Sequence, residues 1–325
     1  MSEDDATDGG DWFEEAIGDD EQDDGADGDE SEWDSAFEES DSTGEAPFGD
    51  ITEGEDSFGG TDSGGGEGVF DDDFASAFES AGGEEFDDKE FESAIPRISL
   101  GIEGLDEMIQ GGIPRRHLIV AIGAPGAGKT TFGLQFLHHG LEQGESGVFI
   151  TLEQSRETII DTANERGWEF NRYEEEENML AVVDLDPVEM ANSLDNIRGE
   201  LPALIREFGA DRLVLDSVSL LEMMYEDQSR RRTEVFDFTR SLKESGVTTF
   251  LTSEASESNP YASRHGIIEY LTDAVFVLRY VRSESREARL AVEIQKIRNA
   301  NHSREMKPYE ITMDGISVYQ QANIF

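Results

Sequence analysis

The sequence predicts an α/β domain with a mostly parallel central sheet flanked by helices, preceded by a disordered acidic arm. Three observations support this architecture. From Arg97 onward, short apolar runs alternate with helical patterns, which is typical of a parallel sheet covered on both faces. A glycine-rich turn joins one of these strands to a helix. The first 92 residues have few aliphatic side chains and many acids.

The charge is distributed unevenly along the 325-residue chain, whose formal net charge is −50. Residues 1–96 contain 37 of the 75 acidic side chains but only one of the 25 basic ones, Lys89. Such a stretch cannot bury enough apolar surface to offset the entropy lost on ordering. We therefore expect residues 1–92 to be disordered, and residues 97–321 to form one domain with a substantial core.

Acidity continues through the rest of the chain, which has 38 acids and 24 bases. Only five of the 25 basic residues are Lys. This composition resembles the proteomes of salt-in halophilic archaea, where molar salt screens repulsion between carboxylates over a few ångströms. An acidic surface made for a basic partner is the alternative. The halophilic interpretation is favoured because the acids are spread over the whole sequence.

Several classes of protein are disfavoured. The chain has no Cys, which excludes disulfides and thiolate metal sites and agrees with a reducing compartment. The acidic N-terminus lacks the basic region of a signal peptide. No apolar run approaches the roughly 18–20 residues that span a bilayer. We expect a soluble, cytoplasmic protein with no membrane association.

Four short segments of the arm share the pattern aromatic-x-(Ser/Glu)-Ala-(Phe/Ile): Phe13–Ile17, Trp33–Phe37, Phe74–Phe78 and Phe91–Ile95. In a helix, the first and last apolar side chains of each segment would lie on one face. The segments are either linear motifs that dock on a protein partner or duplications within a low-complexity linker. Both interpretations remain open from the sequence.

The periodicity predicts the following elements in chain order. They are a strand at His117–Ile122, a helix from Lys129 to about Gly140, a strand at Gly147–Leu152, a helix capped by Ser155 and ending near Gly167, a strand at Leu180–Val183, a helix to about Phe208, strands at Arg212–Leu215, Thr248–Thr252, Ala274–Leu278 and Leu290–Lys296, and a hairpin of Tyr309–Met313 and Ile316–Tyr319 joined by Asp314-Gly315.

The glycine-rich turn fits the phosphate-loop pattern G-x-x-x-x-G-K-[ST]. Glycines let backbone N–H groups turn inward around phosphates, and the following helix adds the partial positive charge of its N-terminus. The Lys side chain reaches the β- and γ-phosphates, and the Thr hydroxyl binds Mg²⁺. The sequence therefore predicts an ATP site formed by Gly123, Ala124, Pro125, Gly126, Ala127, Gly128, Lys129, Thr130 and Thr131.

Two acids complete the predicted site. Asp216 follows the apolar run Arg212–Leu215. Many strands end in a helix-capping Asp, but the phosphate loop earlier in the chain favours a role for Asp216 in holding Mg²⁺ through water. Glu153 lies at the end of the strand after the phosphate-loop helix, at the edge where α/β sheets place ligands. It could deprotonate the attacking water, or it could be a solvated acid at a strand end.

The sequence is similar to the KaiC family of RecA-superfamily ATPases, with archaellum-associated regulators of the superfamily close behind. The similarity covers roughly residues 97–321, one ATPase domain. The motifs that carry it are Gly101-Ile-Glu-Gly-Leu-Asp-Glu-Met, Gly111-Gly-Ile-Pro, the phosphate loop, Gln135-Phe-Leu-His-His-Gly, Val148-Phe-Ile-Thr-Leu-Glu153, Leu271-Thr-Asp273 and Lys296-Ile-Arg298-Asn-Ala-Asn-His302.

The resemblance implies roles for matching residues. Glu153 corresponds to the first of two catalytic glutamates, and Gln154 replaces the second, which implies slow hydrolysis. Lys296, Arg298 and His302 match residues that contact the γ-phosphate of a neighbouring subunit's nucleotide, so the resemblance implies a homo-oligomer in the form of a hexameric ring. Without the resemblance, Lys296 and Arg298 would indicate the exposed face of an edge strand.

The resemblance also bears on phosphorylation, because Glu269-Tyr270 occupies the place of a Ser-Thr pair that is phosphorylated in the family's circadian-clock member. We therefore expect no autophosphorylation of that kind.

Three functions compete at this stage. The first is an oligomeric regulatory or signalling ATPase, and the second is a nucleotide-gated scaffold with negligible turnover. The third, a recombinase-like DNA-binding ATPase, needs clustered Lys and Arg in the loops after the fourth and fifth strands. Those loops are acidic, and the one basic cluster, Arg230–Arg232, better fits the start of a solvated helix. The sequence therefore disfavours DNA as a partner.

Overall fold

The computed structural model describes residues 94–282 and 288–319. Our expectations of a disordered arm and of docking motifs fall on residues outside these ranges, apart from Ala94 and Ile95 at the end of the fourth motif. Within the described ranges a nine-stranded sheet has the order β11-β10-β9-β8-β3-β7-β6-β4-β5, and β1 (Arg97–Ile98) pairs separately with β2 (Ile113–Pro114).

The nine strands of the large sheet begin and end close to the predicted positions. They are β3 (Leu118–Gly123), β4 (Gly147–Thr151), β5 (Leu180–Asp184), β6 (Arg212–Asp216), β7 (Thr248–Glu254), β8 (Ala274–Arg282), β9 (Ala288–Ile297), β10 (Lys307–Thr312) and β11 (Gly315–Val318). Strands β8, β3, β7, β6, β4 and β5 run parallel, whereas β9, β10 and β11 are added antiparallel. The predicted fold class is therefore confirmed.

Helices connect the strands on both faces. They are α1 (Glu103–Met108), α2 (Lys129–Glu142), α3 (Arg156–Glu165), α4 (Pro187–Asn192), α5 (Leu194–Phe208), α6 (Val218–Met223), α7 (Gln228–Ser245) and α8 (Ile268–Leu271), with a π-helical turn at Arg172–Glu176. Alternate residues of each buried strand enter two separate cores. Ile119 of β3 packs with Phe132 of α2 on one face, whereas Val120 packs with Phe238 of α7 on the other.

Local chemistry explains where the helices begin and end. The Ser155 hydroxyl accepts a hydrogen bond from the Thr158 amide and caps α3, as predicted. Asp186 caps α4, whose first residue is Pro187, because Pro fits the first helical position. Gly209 ends α5 in the left-handed conformation.

Two predictions of local structure are corrected. The segment before Phe208 is not one helix, because Ser193 separates α4 from α5. The last hairpin turns at Met313-Asp314, because Gly315 pairs with Thr312 and begins β11 with φ of +110°. None of the helices in the described ranges is long and apolar enough to cross a membrane.

Candidate functional site

The phosphate loop lies between the end of β3 at Gly123 and the start of α2 at Lys129. Gly126 and Gly128 have φ of +79° and +88°, a conformation that residues with a Cβ rarely adopt. A Cβ added to Gly128 would also lie 2.6 Å from Cδ1 of Ile311. The loop therefore requires glycine for its backbone shape and, at Gly128, for space as well.

The Lys129 side chain curls over its own loop. Its ammonium group donates hydrogen bonds to the carbonyl oxygens of Gly123 and Ala124, at 3.1 and 3.4 Å. Thr131, also in the first turn of α2, is buried. These contacts keep a cation at the mouth of a loop whose amides precede a helix of 14 residues, an arrangement whose chemistry suits phosphate groups.

Asp216 is brought to the phosphate loop by the parallel arrangement of the strands. Its Oδ2 accepts a hydrogen bond of 2.6 Å from the Thr130 hydroxyl, and its Oδ1 accepts one of 2.5 Å from the Thr252 hydroxyl. The Asp216 and Thr252 side chains are fully buried. One carboxylate and two hydroxyl groups therefore meet at the carboxyl edge of the sheet.

Glu153 extends this arrangement along the same edge. It follows β4, which pairs with β6 so that Thr151 lies beside Asp216. Its Oε1 accepts a hydrogen bond of 2.6 Å from the hydroxyl of Ser217, the residue after Asp216. Glu153 itself is exposed, so one of its carboxylate oxygens is held while the side chain remains open to solvent.

The backbone on either side of the Glu153 side chain is also held. The Thr151 hydroxyl accepts hydrogen bonds from the amides of Glu153 and Gln154, at 3.3 and 3.0 Å, and donates to the Gln154 carbonyl. The turn that carries the acid is therefore fixed by a side chain of the strand that precedes it.

The last strands pack directly on the phosphate loop. The Tyr309 hydroxyl donates a hydrogen bond of 2.5 Å to the Ala127 carbonyl, and burial raises the pKa of this phenol well above its ordinary value. Ile311 and Ile316 approach Gly128, and the Tyr280 hydroxyl lies beside Gly126. The loop is thus supported from outside the parallel part of the sheet.

The structure does not bring Lys296, Arg298 and His302 to the chain's own phosphate loop. Ile297 pairs with Ala274, which pairs with Ile119 near the start of β3, whereas the phosphate loop follows the end of β3. Lys296 and Arg298 therefore lie toward the amino edge of the parallel strands, and His302 follows in the next loop. A strand of six residues separates the two edges by about 20 Å.

Lys296 and Arg298 are nevertheless not a simple exposed strand face. The Lys296 ammonium group is half-buried and donates to the Glu269 carbonyl at 2.6 Å. Burial, followed by the charge of Arg298, lowers the pKa of Lys296 below its ordinary value. Arg298 is half-exposed and forms a 3.0 Å ion pair with Asp273. His302 lies in the following loop, where its Nδ1 is 2.9 Å from the Ser303 carbonyl.

Two of the arginines near the loops after β6 and β7 are engaged by the protein itself. In the cluster at the start of α7, Arg231 donates to the carbonyls of Glu222 and Tyr225 and so joins α7 to the end of α6. Arg264 pairs with Glu254 at 2.8 Å. Two of the cations near these loops therefore have protein partners.

Sequence reasoning missed several residues of the site. Thr252 and Ser217 contribute hydroxyl groups to the two acids, and Tyr309 supports the loop from 182 residues away in sequence. A polar residue at the end of each of two neighbouring parallel strands was the available signal for Thr252. This signal can be used only when the order of the strands in the sheet is known, and the sequence alone does not show that order.

Comparison with known proteins agrees with this architecture. A family model described as "ATPase: KaiC" matches residues 98–323. The circadian clock oscillator protein KaiC of Prochlorococcus marinus is 33% identical over 231 residues, which is 69% of this chain and 46% of that protein. KaiC of Synechococcus elongatus is 33% identical over 233 residues, covering 70% of this chain and 44% of its own length. The chain thus spans less than half the length of these relatives.

Among solved structures, a KaiC-like protein from the hyperthermophilic archaeon Pyrococcus horikoshii OT3 is 35% identical, with a TM-score of 0.62. The match covers 69% of this chain and 99% of the archaeal one. The family model covers the part of the chain that forms the nine-stranded sheet and the phosphate loop. The chain therefore belongs to the KaiC family of RecA-superfamily ATPases.

Proposed function

We propose that the chain binds ATP with Mg²⁺ and hydrolyses it slowly, as an oligomeric ATPase in regulation or signalling. The observation that carries this proposal is the 2.6 Å hydrogen bond between the Thr130 hydroxyl and Asp216. It joins the start of the phosphate-loop helix to the end of β6, so that the loop, a hydroxyl and a carboxylate share one edge of the sheet.

The residues at this edge fit the nucleotide and its metal. Mg²⁺ prefers oxygen ligands and commonly takes only one or two from protein side chains, and the Thr130 hydroxyl and Asp216 carboxylate are of that chemistry. The glycine-rich turn presents backbone amides, and Lys129 adds a positive charge for phosphate oxygens. When bound, Mg²⁺ would neutralise charge on the phosphates.

Glu153 is the proposed general base. Its free oxygen can accept a proton from water, while the Ser217 hydroxyl holds the other oxygen and so orients the carboxylate. Thr151 fixes the turn that carries it. Gln154 is polar but is not a base, so a second carboxylate is missing where the family has one. This supports slow rather than fast turnover.

A hydrolysis assay in molar KCl with Mg²⁺ tests the role of Glu153. General-base help is worth about 10²–10⁴ in rate, so Glu153→Gln should lower turnover by roughly that factor. Glu157→Gln, at an exposed position in the first turn of α3, is the matched control and should leave the rate unchanged. Equal rates for wild type and Glu153→Gln would remove Glu153 from its proposed role.

A nucleotide-gated scaffold is the second candidate. The Ser217 hydroxyl occupies one oxygen of Glu153, and Gln154 cannot replace it as a base, so the same geometry could bind ATP without turning it over. Titration with ATP in the assay conditions separates the two functions. Binding without turnover in wild type would favour the scaffold, whereas no affinity for ATP would contradict both.

We further propose that Lys296, Arg298 and His302 act on the nucleotide of a neighbouring subunit in a ring. The position of Lys296 and Arg298 toward the amino edge, away from the chain's own phosphate loop, supports action in trans. Mixing inactive Lys129→Ala with inactive Arg298→Ala should then restore part of the activity, because some sites would combine an intact loop with an intact Arg. Arg304→Ala, at an exposed position nearby, is the control and should be active alone. No recovery at any mixing ratio would contradict a shared site.

A further inference from the structure

The Asp216 carboxylate is bound from two sides, and the two donors differ in their access to a ligand. Its Oδ2 accepts from the Thr130 hydroxyl at 2.6 Å, and its Oδ1 accepts from the Thr252 hydroxyl at 2.5 Å. Thr130 is half-buried at the end of the phosphate-loop motif, whereas Thr252 has no exposed surface. A bound ligand can therefore contact Thr130 but not Thr252.

The single hydroxyl proton of Thr252 is donated to Asp216. A Thr hydroxyl has one proton to donate, and the other acceptor near it is the Leu215 carbonyl oxygen, at 3.5 Å. The Asp216 oxygen is closer and belongs to a charged group, and hydrogen bonds to charged groups are the stronger ones. Thr252 therefore binds one defined oxygen of the acid.

The backbone that carries Thr252 is fixed by its neighbours in the sheet. Strand β7 lies between β3, which leads into the phosphate loop, and β6, which ends at Asp216, and Thr252 pairs with Ala121 of β3. The next residue, Ser253, is buried, and its hydroxyl lies 3.1 Å from that of Ser219 on α6. Thr252 can therefore hold a carboxylate of the neighbouring strand in one place.

An Asp side chain needs such a partner to present one oxygen in a fixed direction. Its last torsion angle is broad, so the carboxylate plane rotates unless both oxygens are bound. We propose that Thr252 is a positioning residue for the metal of the nucleotide: by binding Oδ1 of Asp216 it keeps Oδ2 beside Thr130, and so raises the affinity of the site for Mg²⁺. This inference rests on the proposed binding of ATP with Mg²⁺.

A purely structural role of Thr252 predicts a different result. A buried hydrogen bond that only stabilised the sheet would, when lost, weaken nucleotide binding equally with and without metal. A positioning role lowers only the part of the affinity that the metal contributes. Replacing a residue that orients a metal-binding group typically costs about 10–100-fold in metal affinity. The ratio of the nucleotide affinities with and without metal therefore separates the two roles.

Binding of a fluorescent, non-hydrolysable ATP analogue to the full chain tests the proposal without depending on turnover. Titrations in molar KCl, one with Mn²⁺ in place of Mg²⁺ and one with EDTA, give the factor by which metal raises the affinity. Thr252→Val keeps the shape of the side chain and removes the hydroxyl, so it should lower this metal factor at least about tenfold and leave the affinity in EDTA unchanged. Thr252→Ser keeps the hydroxyl and should retain the wild-type factor.

Thr249→Val is the matched control. Thr249 is also a buried Thr of β7, but its hydroxyl has no hydrogen-bond partner among the residues that the structure describes. Its replacement should therefore leave both affinities unchanged. If circular dichroism shows that Thr252→Val is unfolded, Thr252→Cys takes its place. A thiol is a weaker donor than a hydroxyl, so this variant should lower the metal factor severalfold.

Three results would overturn the proposal. One is a metal factor in Thr252→Val, or in the Cys variant that replaces it, equal to that of wild type. Another is a loss in Thr252→Ser as large as in Thr252→Val, because the hydroxyl would then not be responsible. The third is an equal loss of affinity with Mn²⁺ and with EDTA. Wild type whose affinity for the analogue is absent or independent of metal would contradict the proposed function itself, whereas metal-dependent binding that is the same in wild type and Thr252→Val contradicts only the role of Thr252.

Discussion

The buried acid Glu222 predicts an unusual dependence of stability on pH. Glu222 lies on α6 with no exposed surface, and neither of its carboxylate oxygens has a hydrogen-bond partner within the part of the chain that the structure describes. Burial, followed by the negative charge of Glu269, raises its pKa from 4.5 to about 7, although Arg231 and Arg264 act in the opposite direction. The folded chain therefore binds this proton more tightly than the unfolded chain.

The sign and size of the effect follow from linkage. The stability that protonated Glu222 contributes is fully present below pH 4.5 and is lost as the pH rises through about 7. At about 1.36 kcal/mol for each pH unit of difference, the loss amounts to about 3 kcal/mol. Gln has the shape of the neutral acid and does not titrate. Glu222→Gln should therefore be more stable than wild type by about 3 kcal/mol above pH 8, and similar to it below pH 4.5.

Urea unfolding in molar KCl, followed by circular dichroism across pH 4.5 to 8.5, measures this difference. Subtracting the two curves removes the contribution of every other carboxylate that titrates alike in both proteins. Glu226→Gln, an exposed acid shortly after α6, is the matched control and should give a curve parallel to that of wild type. If the Glu222→Gln and wild-type curves were parallel as well, Glu222 would not be a buried acid of raised pKa.

Two further predictions concern stability of the domain. Tyr309→Phe removes the buried hydroxyl that donates to the Ala127 carbonyl, so it should lower the free energy of urea unfolding by about 1–2 kcal/mol and weaken ATP binding. The control, Tyr319→Phe, removes an exposed hydroxyl that contacts Glu310 and should lower it by less than about 0.5 kcal/mol. Equal losses in the two variants would contradict a supporting role for Tyr309. Arg212→Met removes a fully buried cation that donates to Glu145 and to the Phe136 carbonyl, so it should lower the free energy of unfolding by about 3 kcal/mol. The control, Arg240→Met, breaks an exposed ion pair with Glu244 and should lower it by less than about 0.5 kcal/mol. A loss at Arg212 as small as that of the control would contradict the importance of its buried contacts.

The sequence was informative wherever structure is decided by near neighbours. Apolar runs gave the strands to within a few residues, and Ser155 gave the start of α3, because a cap and its helix are adjacent in sequence. The phosphate loop was predictable because its whole motif lies within eight consecutive residues, Gly123 to Thr130. The last hairpin was misplaced by one residue, since a turn of two residues with a following Gly fits two registers equally well before the pairing of Thr312 with Gly315 is known.

Contacts between distant parts of the chain were not predictable in this way. Thr252 contacts Asp216 because β7 lies beside β6, and this order follows from the crossovers of the sheet rather than from either strand alone. The partial burial of Lys296 depends on the Glu269 carbonyl, which precedes a different strand. The raised pKa of Glu222 likewise depends on its burial and on the charge of Glu269, which lies in α8, far from Glu222 in sequence.

The position of the last two strands couples the nucleotide site to the end of the domain. Gln135 of α2 accepts a hydrogen bond from the Ile316 amide of β11 and donates to the Gly101 carbonyl, while Tyr309 of β10 holds the loop at Ala127. The helix that follows the phosphate loop is thus fixed from β10 and β11 as well as from the parallel strands. Any ligand that binds only the ordered loop must stabilise these contacts by the same free energy with which they favour its binding. The contacts of β10 and β11 should therefore influence the affinity of the phosphate loop for its ligand, although none of their residues belongs to the glycine-rich motif.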